Sequence, residues 1–204
     1  MRYITTLIAT LFISSAYAGD FTISYDHAEF VVDYTGIVEY DDDAKLRELM
    51  EKAGNRDVFI FINSPGGSAW GGVGLFDEAR LHDNLILVAG ADFGAWSAAA
   101  MFWMGAEHRY VEENGGVVGF HLAYCNPYNP PGCDTTEIDD VMMLMFTDVF
   151  GAEAAEIMWA ELLNQRDLRG VSGWIGIIND PFVEQGWFTF NSSLTEIEPF
   201  SIEG

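Results

Sequence analysis

Two short apolar runs, each followed by a turn that contains glycine, place the strongest constraint on the fold of this chain. Residues 57–63 read DVFIFIN and residues 85–89 read LILVA. Such runs are typical of strands that are buried on both faces of a parallel sheet. Predicted helices at 41–52 and 71–82 lie before and between them. The sequence therefore predicts an α/β fold of repeated βαβ units, with a mostly parallel sheet and flanking helices.

The other predicted elements extend this alternation of strands and helices. They are strands at 30–38, 110–111 and 117–120, a small apolar helix at 97–103, and one or two helices within 134–163. Three aspartates at 41–43 are interpreted as the N-cap and acidic first turn of the first helix, because no EF-hand spacing follows them.

Residues 1–18 have the three parts of a secretory signal peptide. Arg2 gives a positive start, residues 4–15 are apolar apart from serines and threonines, and Ala-Tyr-Ala precedes Gly19 as a cleavage site. An uncleaved anchor is the alternative, but the apolar stretch is short for a membrane-spanning helix. We expect a periplasmic or secreted protein with one mature domain, residues 19–204, and no membrane association after cleavage.

The charge of the chain excludes several classes of partner. Thirty-two acidic residues stand against nine basic ones, which gives a formal net charge of −23. Such a surface repels nucleic acid backbones and anionic membrane surfaces, so we expect neither as a partner. We interpret the acidic surface as a feature that favours solubility. No motif predicts a cofactor.

The two cysteines, Cys125 and Cys133, lie in a segment rich in proline, asparagine and glycine. A local disulfide is the default interpretation in an exported protein. A metal site that adds His121, four residues before Cys125, is the alternative.

Three motifs are candidates for chemistry, and each also has an ordinary structural interpretation. Residues 64–67, SPGG, follow a buried strand and are either a functional loop or a simple turn. Ser97 is either a nucleophile at a strand-to-helix junction or a helix N-cap. His121 follows a predicted strand and is either a catalytic base or a structural histidine.

The order and spacing of these motifs resemble the proteolytic subunit of Clp proteases and its relatives. The matching residues are VFIFINSPGG at 58–67, SAAA at 97–100, Gly-Ala at 105–106, Arg109, and Gly-Phe-His at 119–121. The resemblance covers residues 30–125 and implies a fold of the ClpP/crotonase type. A group of periplasmic Clp-like proteins has the same SPGG, Ser and Gly-Phe-His pattern.

The resemblance also implies a role for each matching residue. Ser97 would attack a carbonyl, and His121 would accept its proton. The amides of Gly67 and Ala98 would form an oxyanion hole, and residues 64–68 would pair with an extended peptide. It also makes a homo-oligomer a possible assembly.

The third member of a catalytic triad has no clear match. Asp180 lies nearest to the family's aspartate region, and we rank it ahead of Asp167. The related signal peptide peptidase A uses a serine–lysine pair, but no lysine follows Lys52, which favours a histidine base. The bulky Trp96 and Trp103 are predicted to narrow the site.

The sequence therefore predicts an exported serine peptidase-like hydrolase that acts on peptides through a Ser–His pair. The alternative is a non-catalytic, oligomeric binding or assembly module with the same fold. Acyl-CoA chemistry, known in the crotonase enzymes, is disfavoured because few basic residues are present to bind the CoA phosphates.

Overall fold

The computed structural model describes residues 18–26, 29–112, 115–125, 132–169, 175–178 and 188–189. The predicted signal peptide, apart from Ala18, and Asp180 lie outside these residues. The strands are β1 (Asp20–Asp26), β2 (Phe30–Val38), β3 (Val58–Gly67), β4 (Leu85–Ala89), β5 (Ala95–Trp96), β6 (His108–Val111), β7 (Val117–Phe120), β8 (Ile175–Ile178) and β9 (Phe188–Thr189). The helices are α1 (Asp42–Ala53), α2 (Ala69–Ala79), α3 (Ala98–Gly105), α4 (Thr136–Phe150) and α5 (Ala152–Arg169).

Strand β3 is the centre of the sheet and pairs with three parallel neighbours. Strand β2 follows one of its edges. On the other edge, β4 pairs with β3 as far as Ile62, and β5 replaces it at Ser64. Strand β6 extends the sheet beyond β4, and β7, β8 and β9 extend it beyond β5. Only the β1–β2 and β7–β8 pairs in the described part of the chain are antiparallel, so the predicted mostly parallel α/β fold is confirmed.

The core lies between the sheet and the helices. Val58, Ile60 and Ile62 of β3 alternate with half-buried residues and have no exposed surface. Helix α3 is buried along its whole length, as expected from its small and apolar residues. Trp103 lies in this core, where its indole N–H donates to the carbonyl of Tyr110 at 2.8 Å. The prediction that Trp103 narrows the site is therefore wrong.

Two predicted boundaries differ from the structure for identifiable reasons. Strand β3 does not end before residue 64, because Gly66 and Gly67 continue the pairing with Ile37 and Val38 of β2. The segment at 134–163 forms two helices, which separate at Gly151. Gly151 has φ +84°, a left-handed conformation that commonly ends a helix.

The first helix begins as predicted, but a different aspartate stabilises its start. Asp41 occupies the N-cap position without a side-chain hydrogen bond. The fully buried carboxylate of Asp42 instead accepts from the Glu39 N–H at 2.8 Å, the Tyr34 hydroxyl at 2.7 Å and the Lys45 ammonium at 2.6 Å. Burial, together with the bond to Asp42, raises the pKa of Tyr34 far above its usual value. This network connects β2 to α1.

We expect Tyr34→Phe to lower the free energy of unfolding by about 1–3 kcal/mol, because the buried Asp42 carboxylate loses a donor. Tyr40→Phe is the control, since Tyr40 is 76% exposed. Urea denaturation of both variants measures the difference. Equal stability in the two variants would contradict a structural role for the buried network.

Candidate active site

Asn63 lies where the sheet forks, between the last residue of β3 that pairs with β4 and the residue that pairs with β5. Its side-chain oxygen accepts from the N–H groups of Phe93 at 2.9 Å and Gly94 at 3.2 Å. Gly90 packs against the same side chain so closely that a Cβ on it would lie 2.5 Å from Asn63 Nδ2. Asn63 therefore holds the turn that leads from β4 to β5.

Ser64 shapes the glycine segment that follows. Its buried hydroxyl donates to the Gly36 carbonyl at 2.7 Å and accepts from the Gly66 N–H at 3.2 Å. Gly66 has φ +86°, and a Cβ on it would lie 2.6 Å from Ser97 Cβ and 2.9 Å from the Ala98 nitrogen. Only glycine allows the backbone to pass so close to Ser97.

Ser97 has an unusual backbone conformation at the junction of β5 and α3. Among the described residues it is the only non-glycine with a positive φ, and its φ of 55° and ψ of −120° are strained for an L-residue. Its N–H donates to the Gly119 carbonyl of β7 at 2.8 Å. Its side chain makes no capping hydrogen bond, so the interpretation of Ser97 as an ordinary side-chain N-cap is wrong.

The two amides predicted for an oxyanion hole belong to the start of α3 and the end of β3. Ala98 is the first residue of α3, where the helix dipole gives backbone N–H groups a partial positive charge. Gly67 is exposed and pairs with Val38, and a Cβ on it would lie 2.4 Å from the Val38 carbonyl oxygen. A substitution at Gly67 would therefore also disturb β2.

His121 directly follows β7 and presents one ring nitrogen to the backbone. Its Nδ1 lies 2.7 Å from the carbonyl oxygen of Leu122, which can only accept, so Nδ1 carries the proton. Burial lowers the pKa of His121, and the Leu122 carbonyl and Asp139 partly oppose this effect. The neutral ring therefore has Nε2 as its basic nitrogen.

Ser97 and His121 line the same cavity of about 20 Å³, together with Ala98. Most of its wall is apolar and is formed by Ala69, Met101, Phe120, Ala123, Ile138 and Met142. Trp96 is not part of this wall. Its indole N–H donates to the Phe93 carbonyl at 2.6 Å, and its ring covers Gly119. The structure thus brings together the serine and the histidine that the sequence singled out.

Of the two predicted acids, Asp180 lies outside the described residues and stays a prediction. Asp167 lies on an exposed part of α5, 3.5 Å from Arg166. Asp139 of α4 was not predicted, and its half-buried carboxylate accepts from the Ala123 N–H at 3.1 Å and the Thr135 hydroxyl at 3.3 Å. Burial raises the pKa of Asp139 against these hydrogen bonds. Its only sequence signal was a position in the first turn of a helix.

Cys125 and Cys133 form a disulfide, which confirms the predicted pairing. Their sulfur atoms are therefore not thiolate ligands, and the alternative of a metal site with His121 is wrong. Within the described ranges, no group of three or more His, Cys, Asp or Glu residues is arranged to hold a metal ion. No helix in that part of the chain is both long and apolar enough to cross a bilayer.

Part of the chain is similar in sequence to known Clp proteases. A family model described as Clp protease matches residues 41–118. ATP-dependent Clp protease proteolytic subunit 1 of Leifsonia xyli subsp. xyli is 32% identical over 76 residues, which are 37% of this chain and 39% of that protein. Proteolytic subunit 2 of Tropheryma whipplei is 30% identical over 76 residues, 37% of this chain and 42% of that protein. The chain thus spans about two fifths of the length of these curated relatives.

A solved structure of a ClpP1 mutant from Listeria monocytogenes has the same fold. It superposes with a TM-score of 0.51 at 18% identity, over 69% of this chain and 87% of that one. The forked parallel sheet and the flanking helices therefore define an α/β protein of the ClpP type. The resemblance to Clp proteolytic subunits that the motifs predicted is therefore confirmed in residues 41–118, and the fold is that of ClpP.

We expect Gly66→Ala to destabilise the protein by about 1–3 kcal/mol more than Gly151→Ala. The two glycines have nearly equal φ, +86° and +84°, so both substitutions place an L-residue at a positive φ. Only the Cβ at position 66 meets other atoms, whereas nothing lies within 4 Å of one at position 151. Equal losses of unfolding free energy, measured by chemical denaturation, would contradict this prediction and show that the contact with Ser97 tolerates a side chain.

Proposed function

We propose that the protein is an exported serine peptidase-like hydrolase that acts on peptides through Ser97 and His121. The observation that best supports this proposal is the strained backbone of Ser97 beside a cavity that His121 also lines. A residue held in a costly conformation marks a site where surrounding structure enforces a particular orientation. Here the close approach of Gly66 and the bond to Gly119 supply that enforcement.

In the proposed reaction, Ser97 Oγ attacks the peptide carbonyl while His121 Nε2 accepts its proton. Nδ1 keeps its proton and donates it in a hydrogen bond to the Leu122 carbonyl, which leaves Nε2 available as the acceptor. His121 then returns the proton to the leaving amine, and water releases the acyl group from Ser97 by the reverse sequence. The amides of Ala98 and Gly67 would stabilise the oxyanion, with a contribution of about 3 kcal/mol for each donor.

The proposed substrate is an extended peptide with a small apolar side chain at the reacting position. Strand β2 already pairs with the glycine segment along one edge, so a peptide would add along the edge that faces Ser97. The small apolar cavity favours an apolar group of limited size. The net charge of −23 disfavours strongly acidic peptides.

The proposed location is the periplasm or the outside of the cell. The signal-like residues 1–18 and the Cys125–Cys133 disulfide support export, because such bonds persist in oxidising compartments. A homo-oligomeric assembly is also part of the proposal. The curated relatives are named as proteolytic subunits of ATP-dependent proteases, and such a name supports a chain that works as part of an assembly.

Labelling with a fluorophosphonate probe tests the catalytic pair. We expect the wild-type protein to react at Ser97, Ser97→Ala to abolish labelling, and His121→Ala to slow it at least about 100-fold through loss of the base. Ser24→Ala and His108→Ala are controls, because both residues are exposed on strands away from the cavity.

Two outcomes would overturn this proposal. Labelling that persists in Ser97→Ala would remove Ser97 as the nucleophile. A wild-type protein that neither reacts nor turns over peptides would favour the alternative, a non-catalytic oligomeric binding module with the same fold.

Intact mass spectrometry of the protein expressed with residues 1–18 in a secreting host tests export. We expect the recovered chain to comprise residues 19–204 with Cys125 and Cys133 joined. A chain that retains residues 1–18, or thiols that alkylate without prior reduction, would contradict the proposed location.

A further inference from the structure

The peptide group between Leu122 and Ala123 connects two side chains of the site. Its carbonyl accepts from His121 Nδ1 at 2.7 Å, and its N–H donates to Asp139 Oδ1 at 3.1 Å. Because this C=O and N–H belong to one amide, the imidazole, the peptide plane and the carboxylate form a continuous hydrogen-bonded chain. Such chains are cooperative, since polarisation of a group at one end strengthens the bond at the other.

We propose that Asp139 is a positioning residue for His121 and acts through the Leu122–Ala123 peptide group. This peptide group then stands where a Ser–His–Asp triad has a direct contact between histidine and aspartate. The carboxylate draws the Ala123 N–H towards itself. Electron density therefore shifts to the Leu122 oxygen, which accepts the hydrogen bond from His121 Nδ1. The catalytic consequence rests on the proposed function, whereas the effect on the imidazole is measurable without turnover.

Asp139 is well placed for this role because its own position is fixed from several directions. The Thr135 hydroxyl donates to its second carboxylate oxygen at 3.3 Å. Its neighbours on α4, Ile138 and Met142, form part of the wall of the cavity that Ser97 and His121 line. The same helix therefore contributes both the carboxylate and a wall of the site.

The groups around His121 and Asp139 favour a neutral imidazole on which the Asp139 carboxylate acts. Asp139 is the charged group that raises the pKa of His121 against the effect of burial. Around Asp139 itself, Arg166 of α5 lowers the pKa of the carboxyl and the adjacent Asp140 raises it, with burial the largest influence. On the other face of the imidazole, the ring of Tyr124 lies 5.4 Å away between centroids.

The hydrogen bond at Nδ1 determines which tautomer His121 adopts. A histidine whose ring can rotate or change tautomer presents a basic nitrogen to the nucleophile for only part of the time. The bonded chain fixes the proton on Nδ1 and therefore keeps the lone pair on Nε2. Asp139 thus stabilises the tautomer that the proposed reaction needs.

Asp139→Asn tests the proposal, because it keeps the size and the acceptor oxygen of the side chain but removes its charge. We expect NMR titration of the labelled histidines to show a His121 pKa lowered by about half a pH unit, less than a direct ion pair would give. The matched control is Asp140→Asn, which removes a charge from the next, exposed residue of the same helix. An unchanged His121 pKa in Asp139→Asn would overturn the proposal.

The wild-type protein gives a second test that needs no stable variant. The Ala123 amide proton should move to a new chemical shift as the Asp139 carboxyl protonates, and the His121 ring signals should respond in the same pH range. An Ala123 amide that is insensitive to this titration would also overturn the proposal.

Probe labelling then tests the catalytic consequence. We expect Asp139→Asn to slow labelling of Ser97 about tenfold, a fraction of the full effect of a general base, while Asp140→Asn leaves it unchanged. The acid side of the rate profile should move to lower pH in Asp139→Asn, because the rate falls as His121 becomes protonated. Equal rates and profiles in both variants would refute the catalytic role. If the probe does not label the wild-type protein, the proposed function is refuted. The NMR titration then tests the effect of Asp139 on His121 independently.

Discussion

The hydrogen bonds of the Asn63 side chain allow the central strand to have two partners on one edge, and the rest of the site depends on this arrangement. Between the end of β4 and the start of β5, backbone N–H groups have no strand partner and need other acceptors. Asn63 accepts two of them, from Phe93 and Gly94. The chain can then turn into β5 and reach Ser97, while Gly66, which donates to Ser64, approaches Ser97 from β3. The site is therefore assembled largely by contacts of the main chain.

The chain as a whole is strongly acidic, whereas the wall of the candidate site is mostly apolar. The chain has a net charge of −23, yet the cavity beside Ser97 has mostly alanine, methionine, isoleucine and phenylalanine walls. Burial keeps His121 neutral, because removal from water disfavours the charged ring more than its neighbours restore it. Asp139 lies one peptide group away from the imidazole, so its charge acts on the ring without a direct contact. Burial therefore lowers the pKa of His121, and the Leu122 carbonyl and Asp139 oppose this effect.

Local patterns in the sequence predicted the strands more accurately than the contacts between them. The apolar runs gave β4 and β7 with their observed bounds, and the motif order identified Ser97 and His121. The role of Asn63 was not predictable, because its partners lie about thirty residues away and asparagine is common in turns. The close contact of Gly66 with Ser97 was not predicted either, since it depends on how neighbouring strands are placed. Asp139 looked like any acidic residue that favours the start of a helix.

The disulfide has a consequence for the segment that connects His121 to α4. Ala123 and Asp139 lie outside the two ends of the loop that Cys125 and Cys133 close. Without the disulfide, the hydrogen bond between Ala123 and Asp139 would have to close a longer loop at a greater entropic cost. With the disulfide, Ala123 and Asp139 are joined through a short covalent path, so each experiences a high effective concentration of the other. In the proposed oxidising compartment, the disulfide would keep the carboxylate near the histidine, and a reducing compartment would release this constraint.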